Sequence, residues 1–227
     1  MTDGGDAATA VERALDPAGA GVVAAAAALA MATPVDGRLC VDDTPLTATR
    51  LEAVAADGVC RAGGDPSGTT AVEPSGELRA GQPVIVALEP RVGGVGGPLS
   101  RTFVVDGDGG WERRAAVAVG MAHDAVRRVA EPGLPARRVV DEAVAELGAY
   151  GLATDGVVAR SIGGTDVDFS TDDALVAGDV FVLDPAATDP DPGTGRGRVR
   201  VGTCYAVTES GCRPLGATPT SLSPGAY

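Results

Sequence analysis

One phrase occurs twice in this chain, and it constrains the fold more than any other feature. Leu78-Arg-Ala-Gly-Gln-Pro-Val-Ile-Val-Ala-Leu-Glu-Pro90 and Leu175-Val-Ala-Gly-Asp-Val-Phe-Val-Leu-Asp-Pro185 both read Leu-x-Ala-Gly, an apolar run, then an acid and proline. The Ala-Gly pair is a turn signal, and a short β-branched run closed by proline is a buried strand. Each copy leads into a glycine-rich loop, Val92 to Gly97 and Gly193 to Gly197. A second strand-like run follows each loop, Arg101 to Val105 and Arg198 to Val207. Two hairpins of one design about a hundred residues apart point to a duplicated αβ unit.

Helical stretches precede each hairpin. Residues 1–7 read as a disordered start, and Ala8–Leu15 opens a helix. Asp16-Pro17 then caps a second, alanine-rich helix from Ala18 to Ala32. Pro45 to Ala56 reads as a helix capped by Asp43 or Thr44, and Gly58 to Ala62 as a strand. In the second half, Trp111–Val129 and Ala136–Tyr150 carry helical apolar spacing, and Gly156–Ile162 reads as a strand. The expected organisation is one domain over 8–227, with halves of about 8–110 and 111–227, each running helices then strands. A chain of 227 residues buries one sizeable core.

Charge narrows the partners. The net charge is −13, and all 18 basic residues are arginine. Aspartate-rich, lysine-free surfaces fit a salt-rich cytoplasm, where counter-ions screen self-repulsion. Dispersed arginines argue against nucleic acid, which needs a clustered basic face. The densest group, Arg196, Arg198 and Arg200, lies near Asp184, Asp189 and Asp191. The alanine run Val22 to Ala32 is too short to span a bilayer, so no membrane partner is expected. Four cysteines without Cys-x-x-Cys spacing read as reduced thiols. The only histidine, His123, sits on the Trp111–Val129 helix and reads as an ordinary helical residue.

With these residues in order, the chain resembles the methionine and Xaa-Pro aminopeptidase (creatinase-like) family. Gly81, the strand Val84–Leu88 and Ser100-Arg101-Thr102-Phe103 match that family's first metal hairpin. Ser161-Ile162-Gly163, Gly178 to Pro185 and Val207-Thr-Glu-Ser-Gly211 follow in its order and spacing, from about Gly37 onward. The resemblance implies an α+β pita-bread fold, two pseudo-symmetric αα–ββ halves around a curved, mostly antiparallel sheet.

The same resemblance implies a site for two divalent metals held by two aspartates, a histidine and two glutamates. Those positions fall at Ala87, Pro98, Arg160, Asp184 and Gly202, and a family His-Glu pair falls at Val167 and Asp168. The family's substrate-side histidine, before the first hairpin, is also missing. A hard dication needs several oxygen or imidazole ligands converging on one point, and here one carboxylate in five survives. The expectation is therefore a metal-free, non-catalytic binding or regulatory module with a vestigial pocket at Ala87, Pro98, Arg160, Asp168, Asp184 and Gly202. A peptide or protein partner and homo- or hetero-oligomers fit that reading, and Arg160 is expected to pair with Asp184 or Asp168. The alternative is a rewired hydrolase using Mn, Co or Zn on Asp184 with Glu89, Asp166 or Asp168.

Overall fold

The computed structural model describes residues 4–227. The first half opens with helix α1 (Gly4–Ala30), then the small meander β1 (Thr33–Val35), β2 (Arg38–Val41) and β3 (Thr44–Pro45). Helix α2 (Ala48–Arg61) follows, then β4 (Thr70–Glu73) and β5 (Val84–Leu88). A two-stranded ribbon, β6 (Arg91–Val92) with β7 (Val95–Gly96), leads into β8 (Leu99–Phe103). The second half runs α3 (Trp111–Val129), α4 (Arg137–Ala149), β9 (Ala153–Thr154), β10 (Ala159–Ser161), β11 (Val180–Leu183) and β12 (Ala186–Thr188). It ends with β13 (Arg198–Arg200), β14 (Thr203–Thr208) and β15 (Gly211–Leu215).

Both copies of the repeated phrase are central strands. β5 lies between β4 and β8, and β11 lies between β10 and β14, with every pairing antiparallel. Each is buried along its whole length, as an unbroken apolar run requires. Helix α1 packs on α2, and α3 on α4, so each half is a helix pair followed by a sheet. An antiparallel bridge between Ser100 and Gly202 joins the two halves. The duplicated αα–ββ plan is thus the observed one.

Several local expectations are corrected. Residues 4–7, expected to be disordered, belong to α1, while residues 1–3 lie outside the described region. The two N-terminal helices are one, with Pro17 inside it. Burial overrides the lost backbone bond: Val11, Ala14, Leu15, Ala18, Val22, Ala25, Ala26 and Leu29 form one buried stripe through the proline. This helix is long and apolar enough to cross a membrane by length and composition alone, unlike the shorter run read from sequence.

The second helix starts later than expected, at Ala48, because Thr47 caps it by accepting a bond from the Arg50 amide. Gly58 to Arg61, expected as a strand, completes that helix, with Leu51, Ala55, Gly58 and Val59 buried. Close approach explains the glycine. A Cβ on Gly58 would sit 2.9 Å from the Ala20 carbonyl oxygen, and one on Gly21 would sit 2.7 Å from Leu88 Cδ1. The alanine and glycine faces of α1 and α2 let the two helices approach and seat them over β5. The long strand expected from Arg198 to Val207 is split into β13 and β14 at Val201 and Gly202.

Candidate functional site

The site lies where the two hairpins meet. Ala87 on β5 pairs with Ser100 on β8, and Ser100 bridges to Gly202, whose amide donates to the Ser100 carbonyl at 3.0 Å. Asp184 follows the end of β11 and reaches the same point. Ser100 Oγ donates to Asp184 Oδ1 at 2.6 Å, and Arg200 Nε donates to that oxygen at 2.9 Å. Arg200 Nη2 donates to the other oxygen, Oδ2. The Asp184 side chain is 16% exposed and that of Arg200 27%. Their hydrogen bonds raise the Arg200 pKa above its ordinary value, so the guanidinium stays charged.

Gly202, placed in the expected vestigial pocket, is closely covered. A Cβ there would lie 2.7 Å from Ser100 Oγ and 2.8 Å from Asp184 Oδ1, so the polar pair fills the position. Ala87 and Pro98 are buried, and the Pro98 carbonyl accepts a bond from Cys204 Sγ.

Arg160 does not pair with Asp184 or with Asp168. Its Nη2 donates to Glu89 Oε2 at 2.6 Å, across the two halves. Glu89 comes just after β5 ends, within reach of the guanidinium. Asp168 stays out on an exposed turn, where its Oδ1 accepts from the Ser170 amide and hydroxyl; those bonds lower its pKa. Among the described residues, no three or more His, Cys, Asp or Glu side chains converge as a metal-ligand group. Of the carboxylates named for a rewired centre, Glu89 binds Arg160, Asp184 binds Arg200 and Ser100, and Asp168 is held by its own turn.

Further ion pairs extend from the site. Arg198 binds Glu73 through Nε at 2.9 Å and Asp155 through Nη1 at 3.0 Å, while Arg196 binds Asp189. Asp155, Val157, Arg160, Val182, Asp184, Ala186, Arg198 and Arg200 surround a cavity of about 300 Å³. Ser100 and Arg200 were not singled out from sequence as site residues. Arg200 was visible in the dense arginine group, but its partner was not, because 16 residues and a turn separate it from Asp184.

His123 belongs to a different place. It is buried between α3 and the sheet, with Nδ1 2.9 Å from the Tyr205 hydroxyl and Nε2 2.9 Å from the Val201 carbonyl. The carbonyl can only accept, so Nε2 carries the proton and Nδ1 accepts from Tyr205. Burial pushes its pKa down to about 4. Arg101 lies nearby, 2% exposed, and donates to the carbonyls of Ser100, Gly202, Thr218 and Pro219. Both groups help line a cavity of about 390 Å³ under the C-terminal segment, yet their polar atoms are satisfied within the protein.

Paired αα–ββ halves with the site at the junction of their two hairpins define the pita-bread architecture, and solved structures share it. Prolidase from Pyrococcus horikoshii OT3 superposes with a TM-score of 0.78 at 19% identity, over 94% of this chain and 62% of that one. Dipeptidase PepE from Mycobacterium ulcerans gives 0.69 at 23%, covering 92% and 58%. Proline aminopeptidase P II from Yersinia pestis gives 0.75 at 18%, covering 94% and 57%. The chain therefore spans less than two thirds of each of these proteins. No curated protein matches it. The family model of metallopeptidase family M24 matches residues 7–209, and the chain belongs to that family.

Proposed function

We propose that this chain is a non-catalytic member of the M24 family, a metal-free domain that acts by binding a peptide or protein partner. The observation that carries the reading is the state of Asp184. Both its oxygens are committed, one to Ser100 and Arg200 and the other to Arg200. A divalent cation would have to displace those bonds and sit beside a permanent guanidinium charge. The other positions implied by the resemblance are Ala87, Pro98, Arg160 and Gly202, and none offers a ligand atom of the required kind. The residues present do not fit a pair of dications.

The pairs that cross between the halves support the same reading. Ser100–Asp184, Arg160–Glu89 and Arg198–Glu73 link residues 71 to 125 positions apart in the chain. They hold the junction together by charge and hydrogen bonding, where metals would otherwise draw the two hairpins together.

The test is peptide hydrolysis in molar sodium chloride with Mn²⁺ or Co²⁺ supplied, comparing wild type with Asp184→Ala. Methionyl, Xaa-Pro and general aminoacyl peptides should all remain intact. Turnover that persists through purification and disappears in the variant would refute the proposal.

A further inference from the structure

We propose that the cavity beside Asp184 is an oxyanion site, in which Arg160 and Arg200 receive the carboxylate or phosphate group of a small molecule. The inference rests on the metal-free reading above, since a dication at Asp184 would compete for the same space.

The cavity lining carries three arginines and two aspartates, and Glu73 and Glu89 pair with the same arginines. Their donors are unequally used. Arg198 commits all three nitrogens to Glu73 and Asp155. Arg160 commits only Nη2, to Glu89, so its Nε and Nη1 have no protein acceptor among the described residues. Arg200 commits Nε and Nη2 to Asp184, and its Nη1 likewise has none. Two guanidinium groups with donors to spare therefore border one space. Four carboxylates, Glu73, Glu89, Asp155 and Asp184, balance the charge of these arginines, so the site offers an oxyanion open donors and not an excess of positive charge.

The surroundings favour an ionic ligand of small size. Val182 and Ala186, 2% and 1% exposed, contribute apolar wall, and a charge-assisted bond strengthens beside such low-dielectric surface. Arg160 stands at the exposed side of the cavity with 42% of its side chain accessible. An incoming oxyanion can reach it without unfolding anything, and can take donors that Glu89 leaves open. A volume of about 300 Å³ admits a small molecule and excludes a folded partner's side. The planar fork of arginine suits both carboxylate and phosphate, whereas chloride, a sphere, cannot use it bidentately.

Calorimetric titration with inorganic phosphate and, separately, with malonate tests the site, ionic strength being held constant with sodium chloride. At least one should bind saturably with one site per chain, and which of them does so identifies the anion class. Arg160→Gln should weaken that binding about tenfold or more, consistent with losing a charge-assisted pair. Arg213→Gln is the control, since Arg213 is also half-exposed and paired with one acid, Glu12; it should leave binding unchanged. No saturable binding of either anion, or equal weakening by both variants, would overturn the site. Stoichiometric manganese in wild type would instead contradict the metal-free reading, so the two failures are distinguishable.

Discussion

Replacing Asp184 by alanine removes the acceptor for three hydrogen bonds at once and leaves Arg200 charged, three-quarters covered and without its carboxylate. Ser100, 1% exposed, would lose the acceptor for its hydroxyl. Breaking a buried ion pair by deleting one partner costs about 3–5 kcal/mol. The partial exposure of both groups moves this pair to the low end, roughly 3 kcal/mol, with the stranded Ser100 hydroxyl included. For a domain of this size each kcal/mol moves Tm by about 2–4 °C, so a fall of roughly 6–12 °C is expected. Thermal unfolding by circular dichroism, without added metal and with chelator present, measures it. Salt should screen the pair less than it would a surface pair, since both groups are mostly covered. A fall of under about 2 °C would refute the reasoning, because Asp184 would then stabilise little unless a metal were bound.

Two further outcomes follow from the geometry. Gly202→Ala should cost about 1–3 kcal/mol by overpacking against Ser100 and Asp184, and less in an Asp184→Ala background, where only the Ser100 contact remains, a coupling that a double-mutant cycle on urea unfolding reads directly. His123 is held neutral, its pKa lowered from 6.5 to about 4, so its share of stability is whole above pH 6.5 and is lost as pH falls toward 4, when only the unfolded chain takes up the proton. That share is roughly 3 kcal/mol, and His123→Gln should flatten urea-measured stability across this window while lowering it at neutral pH.

The core strands were legible because the signal was local. Val84–Leu88 and Val180–Leu183 are short apolar runs closed by an acid and proline, and both form central strands. Trp111–Val129 was equally plain, with alanine and valine at helical spacing. Boundaries set by tertiary contact were not. Pro17 reads as a helix start, but the buried stripe from Val11 to Leu29 continues through it. Gly58 reads as the start of a strand, yet it lies within α2 and serves close packing against Ala20 and Ala24.

For the candidate site, sequence order named positions without revealing their partners. Asp184 pointed to Arg160 on charge alone. The register instead puts Arg200, beyond the β12–β13 turn, onto that carboxylate, and leaves Arg160 to Glu89. Ser100 was visible as part of a matched segment, but its hydroxyl contact spans 84 residues and could only come from the fold.

Metal content tests the central claim most directly. Wild-type protein is equilibrated with Mn²⁺, Co²⁺ and Zn²⁺, dialysed against metal-free buffer and analysed for elements per chain, alongside Asp184→Ala. The Asp184–Arg200–Ser100 cluster predicts no stoichiometric metal in either protein. One or more metal ions per wild-type chain, absent from the variant, would contradict it.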